Sequence, residues 1–105
     1  MTDSKLKSKD LDEFFDAILM LKDRDECYKF FEDARTAREL QSISQRLQVA
    51  KLLKIRKTYS EIEEQTGAST ATISRVNRSL HYGTDGYDLV LEKLIANNLK
   101  EEKNK

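Results

Sequence analysis

At 105 residues the chain is the size of one domain, with no Pro, no Trp, three Gly and 38% hydrophobic residues; so few breakers among so many helix formers exclude a sheet protein, and the modest apolar content anticipates a core completed by a partner. Nineteen basic and nineteen acidic residues cancel, which argues against an indiscriminate polyanion binder. The lone Cys27 excludes an internal disulfide, Met1–Lys9 is too polar for a signal peptide, and no apolar run would span a bilayer, so a soluble, cytoplasmic protein without a membrane partner is expected.

Taken in chain order, residues 1–8 and 100–105 read as frayed, charged ends of a single domain over 1–105. A first helix is predicted from about Asp10 to Leu21. Its apolar face is Leu11, Phe14, Phe15, Ile18, Leu19 and Leu21, and Asp10, Asp12 and Glu13 sit near the positive end of its dipole. A second, short helix covers about Arg24 to Asp33 and presents Phe30, Phe31 and Cys27, the last as a small core residue. Thr36 and Glu39 have capping-box spacing and open a long helix to about Arg56. Leu40, Ile43, Leu47, Ala50 and Leu53 or Lys54 give it one stripe, which Val49, Leu52 and Ile55 widen, so it reads as the hub of the core.

Thr58 and Glu61 repeat the capping-box spacing before Tyr59-Ser60-Glu61-Ile62-Glu63-Glu64-Gln65-Thr66, and Gly67 follows. A sharp interhelical turn needs φ > 0, which Gly supplies. Ser69 or Thr70 can cap the next helix, in which Ile73, Val76 and Leu80 fall on one face. With Ile62 they would lock two helices as a helix-turn-helix over about 58–80. The outward face carries Thr70, Ser74, Arg75, Asn77 and Arg78, all able to hydrogen-bond to bases or phosphates of double-stranded DNA. From Arg46 to Tyr82 seven basic residues stand against three acids, so positive charge gathers where a phosphate backbone would lie. The plainer alternative is a helical corner with solvated hydroxyls. His81–Gly86 is predicted as a turn, with His81 suited to the helix C-terminus, and a last helix runs from about Tyr87 to Asn98.

Gly67-Ala68-Ser69-Thr70-Ala71-Thr72-Ile73-Ser74-Arg75, followed by Ser79-Leu80, resembles the reader-helix signature of the Trp repressor family. Thr66 through Arg78 is most similar to its YerC/YecD-type members. Thr36, Glu39, Gln45-Arg46-Leu47, Leu52-Leu53 and the order of six helices extend the resemblance over most of the chain. It implies an all-α, six-helix fold assembled as an intertwined homodimer, with two reader helices about one DNA turn apart on a pseudo-palindromic operator. By position Thr70, Ala71, Ser74 and Arg75 would face DNA, and Ser69, Thr72 and Arg78 complete the candidate DNA-binding set. Several of these side chains are short, so water-mediated and shape readout are expected.

In tryptophan-responsive members of that family two arginines sandwich the indole. Arg46 and Arg75 stand at those positions here, and Thr36, Thr72 and Ser79 match the polar ones, which makes Thr36, Arg46, Arg75 and Ser79 the candidate ligand-binding set. For Arg46 an ion pair with the acidic N-terminal helices is expected ahead of a ligand role. The residue after the second arginine is a glycine in those members and Val76 here. Forcing a branched side chain against a ring costs about 1–3 kcal/mol, so L-tryptophan is not expected as corepressor, and another small effector or none takes its place. Glu63 stands where that repressor has a lysine facing phosphate, which implies repulsion or a different docking angle.

A sequence-specific transcriptional regulator, probing DNA as a homodimer and not responsive to tryptophan, is the function this implies. The competing reading is a protein-interaction module built on the helix-turn-helix, favoured by Glu63, Glu64 and the overall neutrality. An enzyme is not expected: there is one histidine, no cysteine pair, no metal-ligand spacing and no phosphate-cradling glycine loop.

Overall fold

A computed structural model describes residues 6–103 as six helices, with no strand among the described residues: α1 (Lys9–Leu19), α2 (Arg24–Ala34), α3 (Ala37–Lys54), α4 (Tyr59–Thr66), α5 (Thr70–Tyr82) and α6 (Gly86–Lys103). The expected frayed ends fall partly on residues 1–5 and 104–105, outside the described residues. Next to them Ser8 caps α1 and α6 continues through Lys103, past the expected end at Asn98. The described residues divide into two compact units between Leu40 and Gln41.

In the first unit Ser8 Oγ accepts from Leu11 N at 3.1 Å, and Asp23 Oδ1 accepts from Glu26 N at 2.9 Å, each satisfying a free donor at a helix start. The Phe14 and Phe30 rings bring α1 and α2 together with centroids 6.0 Å apart, and Phe31 meets Phe30 edge-on at 5.2 Å. Cys27 is half-buried. No residue of α1 or α2 is fully buried, and Leu19 is 81% exposed. Of the broad apolar face read from the sequence, Phe14, Phe15 and Leu19 are exposed and Leu11, Ile18 and Leu21 are half-buried. Thr36 makes the expected reciprocal cap with Glu39: Glu39 N donates to Thr36 Oγ1 and Thr36 N to Glu39 Oε1, both at 3.4 Å, and Thr36 Oγ1 also donates to Glu39 Oε1 at 2.9 Å.

The second unit holds every fully buried residue among those described: Val49 and Ala50 of α3, Ile62 of α4, Ala68 in the turn, Ile73 and Val76 of α5, and Leu91 of α6. Leu47, Leu52, Leu53, Tyr59, Leu80 and Tyr87 pack around them. α3 is thus the hub expected of it, although Ile43 and Ile55 lie outside the core. Burying one Ile or Val contributes about 1.5–3 kcal/mol, against about 1 kcal/mol for a cap, so the apolar lock dominates the stability of this unit. Lys54 Nζ meets Asp88 Oδ1 at 2.9 Å; that oxygen is out of contact with water, and the cation compensates it. No helix among the described residues is long and apolar enough to cross a membrane.

α3 stops at Lys54, two residues before the expected Arg56. Lys57 N donates to Leu52 O and Arg56 N to Leu53 O, both at 3.0 Å, which is the paired bonding of a Schellman motif. The residue this motif needs in the left-handed region is Arg56, with φ 64. α5 also departs from expectation by including His81 and Tyr82, and His81 Nδ1 lies 2.8 Å from Asn77 O. The turn that follows takes its positive φ at Asp85 (65°), not at a glycine. Gly83 is required for another reason: a Cβ there would lie 2.5 Å from Ser79 O.

The left-handed conformation of Arg56 carries a steric cost of about 1–2 kcal/mol that glycine does not bear. Arg56→Gly is expected to raise stability by up to about 1 kcal/mol after the added unfolded-state freedom is subtracted. Urea denaturation of the two proteins measures it, and a clear loss of stability would contradict the Schellman assignment.

Candidate nucleic-acid interface

The N-terminus of α4 is held by a complete capping box. Glu61 N donates to Thr58 Oγ1 at 3.1 Å and Thr58 N donates to Glu61 Oε1 at 2.9 Å. Hydrogen bonding from Thr58 to the carboxylate, backbone N–H first and then side chain, holds the Glu61 carboxyl below its ordinary range, with a smaller contribution from Lys57. α4 ends at Gly67, whose φ of 74 turns the chain out of the helix as expected.

Three further bonds fix the turn. Thr66 Oγ1 donates to Ile62 O at 2.7 Å and accepts from Ala68 N at 3.1 Å, while Gln45 Nε2 of α3 donates to Thr66 O at 3.0 Å. The backbone groups exposed by ending one helix and starting another are thereby paired, and the turn is anchored to the hub helix. Gln45 was visible in the sequence as a polar residue on α3, but no local pattern pairs it with a carbonyl 21 residues away.

α5 starts with Ser69 as its cap, in extended conformation (φ −74, ψ 159), and Ser69 Oγ accepts from Thr72 N at 3.1 Å. Its hydroxyl also donates to Thr72 Oγ1 at 3.1 Å. Ile73 and Val76 point into the core. Ser69, Thr70, Ala71, Ser74, Arg75 and Arg78 are exposed on the same helix. Thr72, the seventh candidate, is half-buried and engaged by Ser69. The first turn of α5 carries no acid, and neither Arg75 nor Arg78 enters an ion pair among the described residues. This surface can donate to phosphates and base edges. One feature the sequence reading did not anticipate is that Thr70 Oγ1 donates to Glu63 Oε1, so the acid of α4 reaches across the turn to the first residue of α5.

Beside this surface lies a pocket of about 270 Å³. Helix α3 lines it with Ser42, Gln45 and Arg46, α5 with Thr72, Arg75, Val76 and Ser79, and α6 with Tyr87. Three of the four candidate ligand residues, Arg46, Arg75 and Ser79, are therefore gathered around one cavity. The fourth, Thr36, belongs to the first unit and engages Glu39 in the cap of α3. Arg46 Nη2 donates to Ser42 Oγ at 3.2 Å. Val76 is 2% exposed and shares its side chain between the core and the pocket wall. The lining holds two guanidinium groups and no carboxylate. Ser42 and Arg46 are spaced i, i+4 on one helix face, a signal present in the sequence; Tyr87 reaches the pocket through the α5–α6 turn, for which no local signal exists.

The family model described as Trp repressor protein matches residues 9–95. The chain is 54% identical over 90 residues to the uncharacterized protein YerC of Bacillus subtilis (strain 168), covering 86% of each chain. It is similar to the crystal structure of a Trp repressor candidate from Staphylococcus aureus, with a TM-score of 0.83, 56% identity and coverage of 90% of this chain and 94% of that one. A TrpR-like protein from Eubacterium eligens ATCC 27750 gives a TM-score of 0.83 with 61% identity, over 86% of this chain and 93% of that one.

Removing the Gln45 amide leaves the Thr66 carbonyl to find another donor. Gln45→Ala is expected to cost about 0.5–1.5 kcal/mol in chemical denaturation. It should also raise amide hydrogen exchange at Gly67 and Ala68 relative to Val49; uniform exchange would show that the amide does not anchor the turn.

Proposed function

The chain belongs to the Trp repressor family, and from that premise we propose that it is a cytoplasmic, homodimeric, sequence-specific DNA-binding regulator of transcription that does not respond to L-tryptophan. The family is one of regulatory DNA-binding proteins, not enzymes. The observation that carries the proposal is the capped, rigidly oriented α5, whose core face is Ile73 and Val76 and whose exposed face is Ser69, Thr70, Ala71, Ser74, Arg75 and Arg78. A helix so presented fits the major groove, with its N-terminal residues at base edges and its arginines at bases or phosphates. Thr72 supports this surface from behind through its bond with Ser69.

Two features support a second copy. Phe15, Leu19 and Met20 of the first unit and Leu89, Val90, Ile95 and Leu99 of α6 are exposed apolar side chains, more than a lone small chain ordinarily leaves in water. All three side-chain nitrogens of Arg35 are withdrawn from water without a hydrogen-bond partner among the described residues, a state that a partner's carboxylate would relieve. A two-fold dimer would present two α5 helices to two half-sites.

Val76 supports the lack of a tryptophan response. Its isopropyl group forms pocket wall where the tryptophan-responsive members leave room, and the surrounding core is too close-packed to withdraw it. The remaining cavity, with Arg46 and Arg75 and no carboxylate, suits a small effector bearing an anionic group. Arg75 belongs to both the pocket and the exposed face of α5, so such an effector would act on the DNA-facing surface directly.

Selection of bound fragments from sheared genomic DNA, with and without L-tryptophan at near-physiological salt, tests the proposal. A short pseudo-palindrome enriched equally in both arms is expected. Enrichment only with tryptophan would overturn the role given to Val76, and none in either arm would favour the protein-interaction module. On the enriched site, Arg75→Ala should weaken binding by about 1–3 kcal/mol and relax the preference at one base pair. Arg78→Ala should weaken binding to all sequences alike and reduce the logarithmic salt slope by about one; unchanged affinity in both variants would remove α5 from the interface.

A further inference from the structure

We propose that Glu63 is a specificity-determining residue of the DNA-facing surface, where its carboxylate, held by Thr70, accepts a hydrogen bond from the exocyclic amino group of a cytosine in the major groove. This rests on the DNA-binding reading above and adds to it an acid that reads a base.

Glu63 belongs to α4, yet its Oε1 accepts from the hydroxyl of Thr70, the first residue of α5. Both residues are exposed. The bond carries the carboxylate across the turn to the end of α5 that would meet base edges. It also leaves Oε2 without a partner among the described residues, on an exposed side chain.

The neighbouring hydroxyls strengthen the effect. Ser69 Oγ donates to Thr72 Oγ1 and Thr70 Oγ1 donates to Glu63, so both protons are taken up by hydrogen bonds within the protein. What this edge presents outward is acceptors: the free carboxylate oxygen and the hydroxyl lone pairs. An acceptor edge selects a donor. In the major groove guanine and thymine offer only acceptors, adenine offers an amino group beside the acceptor N7, and cytosine alone offers an amino group with no acceptor of its own. The same negative charge is repelled by phosphate, so Glu63 lowers affinity for non-cognate DNA while rewarding one base, and both effects favour discrimination.

The test is selection from a randomised duplex pool with the wild-type protein, Glu63→Gln and Glu63→Asp, together with each protein's affinity for a fixed random-sequence duplex. Glu63 is exposed, so both variants are expected to keep their helices, which far-UV circular dichroism checks. The wild-type site should carry a cytosine at one fixed position in each half-site. Both variants should lose that preference by about tenfold. Glu63→Gln, which removes the charge, should also gain several-fold in affinity for random duplex; Glu63→Asp, which keeps the charge but withdraws it by one methylene from Thr70, should not. Unchanged base preference in both variants, with Glu63→Gln tighter on every sequence, would overturn the proposal by making Glu63 a phosphate-repelling charge alone. A cytosine preference surviving in Glu63→Asp would overturn the positioning by Thr70. A wild-type protein that selects no common sequence would sink the DNA-binding reading itself, an outcome distinct from either of these.

Discussion

The turn at Gly67 decides where α5 points, because it is the covalent link between α4 and the helix that carries the exposed hydroxyls and arginines. Apolar burial of Ile62, Ile73 and Val76 supplies most of the free energy that holds α4 against α5, yet burial has no direction and would tolerate a helix rotated by several degrees. Direction comes from the hydrogen bonds: Thr66 to Ile62, Ala68 to Thr66, and Gln45 to Thr66. Each is worth about 1 kcal/mol net, small beside the core. Each also becomes a buried or half-buried unsatisfied group if the turn shifts, and that asymmetry makes a weak set of bonds a strong geometric constraint.

With its direction fixed, α5 serves three neighbours by helical spacing alone. Ile73 and Val76 enter the core, Thr72, Arg75, Val76 and Ser79 line the pocket, and Thr70, Ala71, Ser74, Arg75 and Arg78 face solvent. Two residues belong to two of these faces. Val76 joins core to pocket, so the packing that stabilises the unit also sets the shape of the cavity. Arg75 joins pocket to surface. Any molecule that orders the Arg75 guanidinium changes what the surface presents, with no movement of the backbone required.

The fold was legible wherever a local pattern carried its cause. Thr36–Glu39 and Thr58–Glu61 read as capping boxes because the bonds they make lie within one turn of sequence. Gly67 read as a left-handed turn because glycine adopts it at little cost, and Ile73, Val76 and Leu80 read as a core face from their spacing. The end of α3 was missed by two residues for the complementary reason: Arg56 adopts the same left-handed conformation with no glycine to mark it. The turn before α6 misled in the other direction. Its two glycines signalled a break from His81 onward, whereas the helix continues through Tyr82 and Asp85 makes the positive φ. The candidate site divides the same way. Exposure of Thr70, Ser74, Arg75 and Arg78 followed from periodicity, although Asn77, expected on the same face, is half-buried; Gln45 on Thr66, Glu63 on Thr70 and Tyr87 in the pocket depend on which helices meet.

The electrostatics of this surface constrain how it would hold DNA. Of the seven basic residues between Arg46 and Tyr82, Lys54 is paired with Asp88 and Lys57 lies 3.9 Å from Glu61. Arg46 is turned toward Ser42 in the pocket. Lys51 and Arg56 are exposed but lie on α3 and at its end, so the cations on α5 itself are Arg75 and Arg78, with Glu63 fastened to the same helix. Counterion release scales with the number of phosphates neutralised, so one copy with so few free cations and an opposing acid gains little from phosphate attraction. Affinity would then have to come from two copies acting on one duplex and from the fit of short side chains to base edges and groove shape. That is the balance expected of a protein with no net charge: weak on arbitrary sequences, and dependent on a matched site for most of its binding energy.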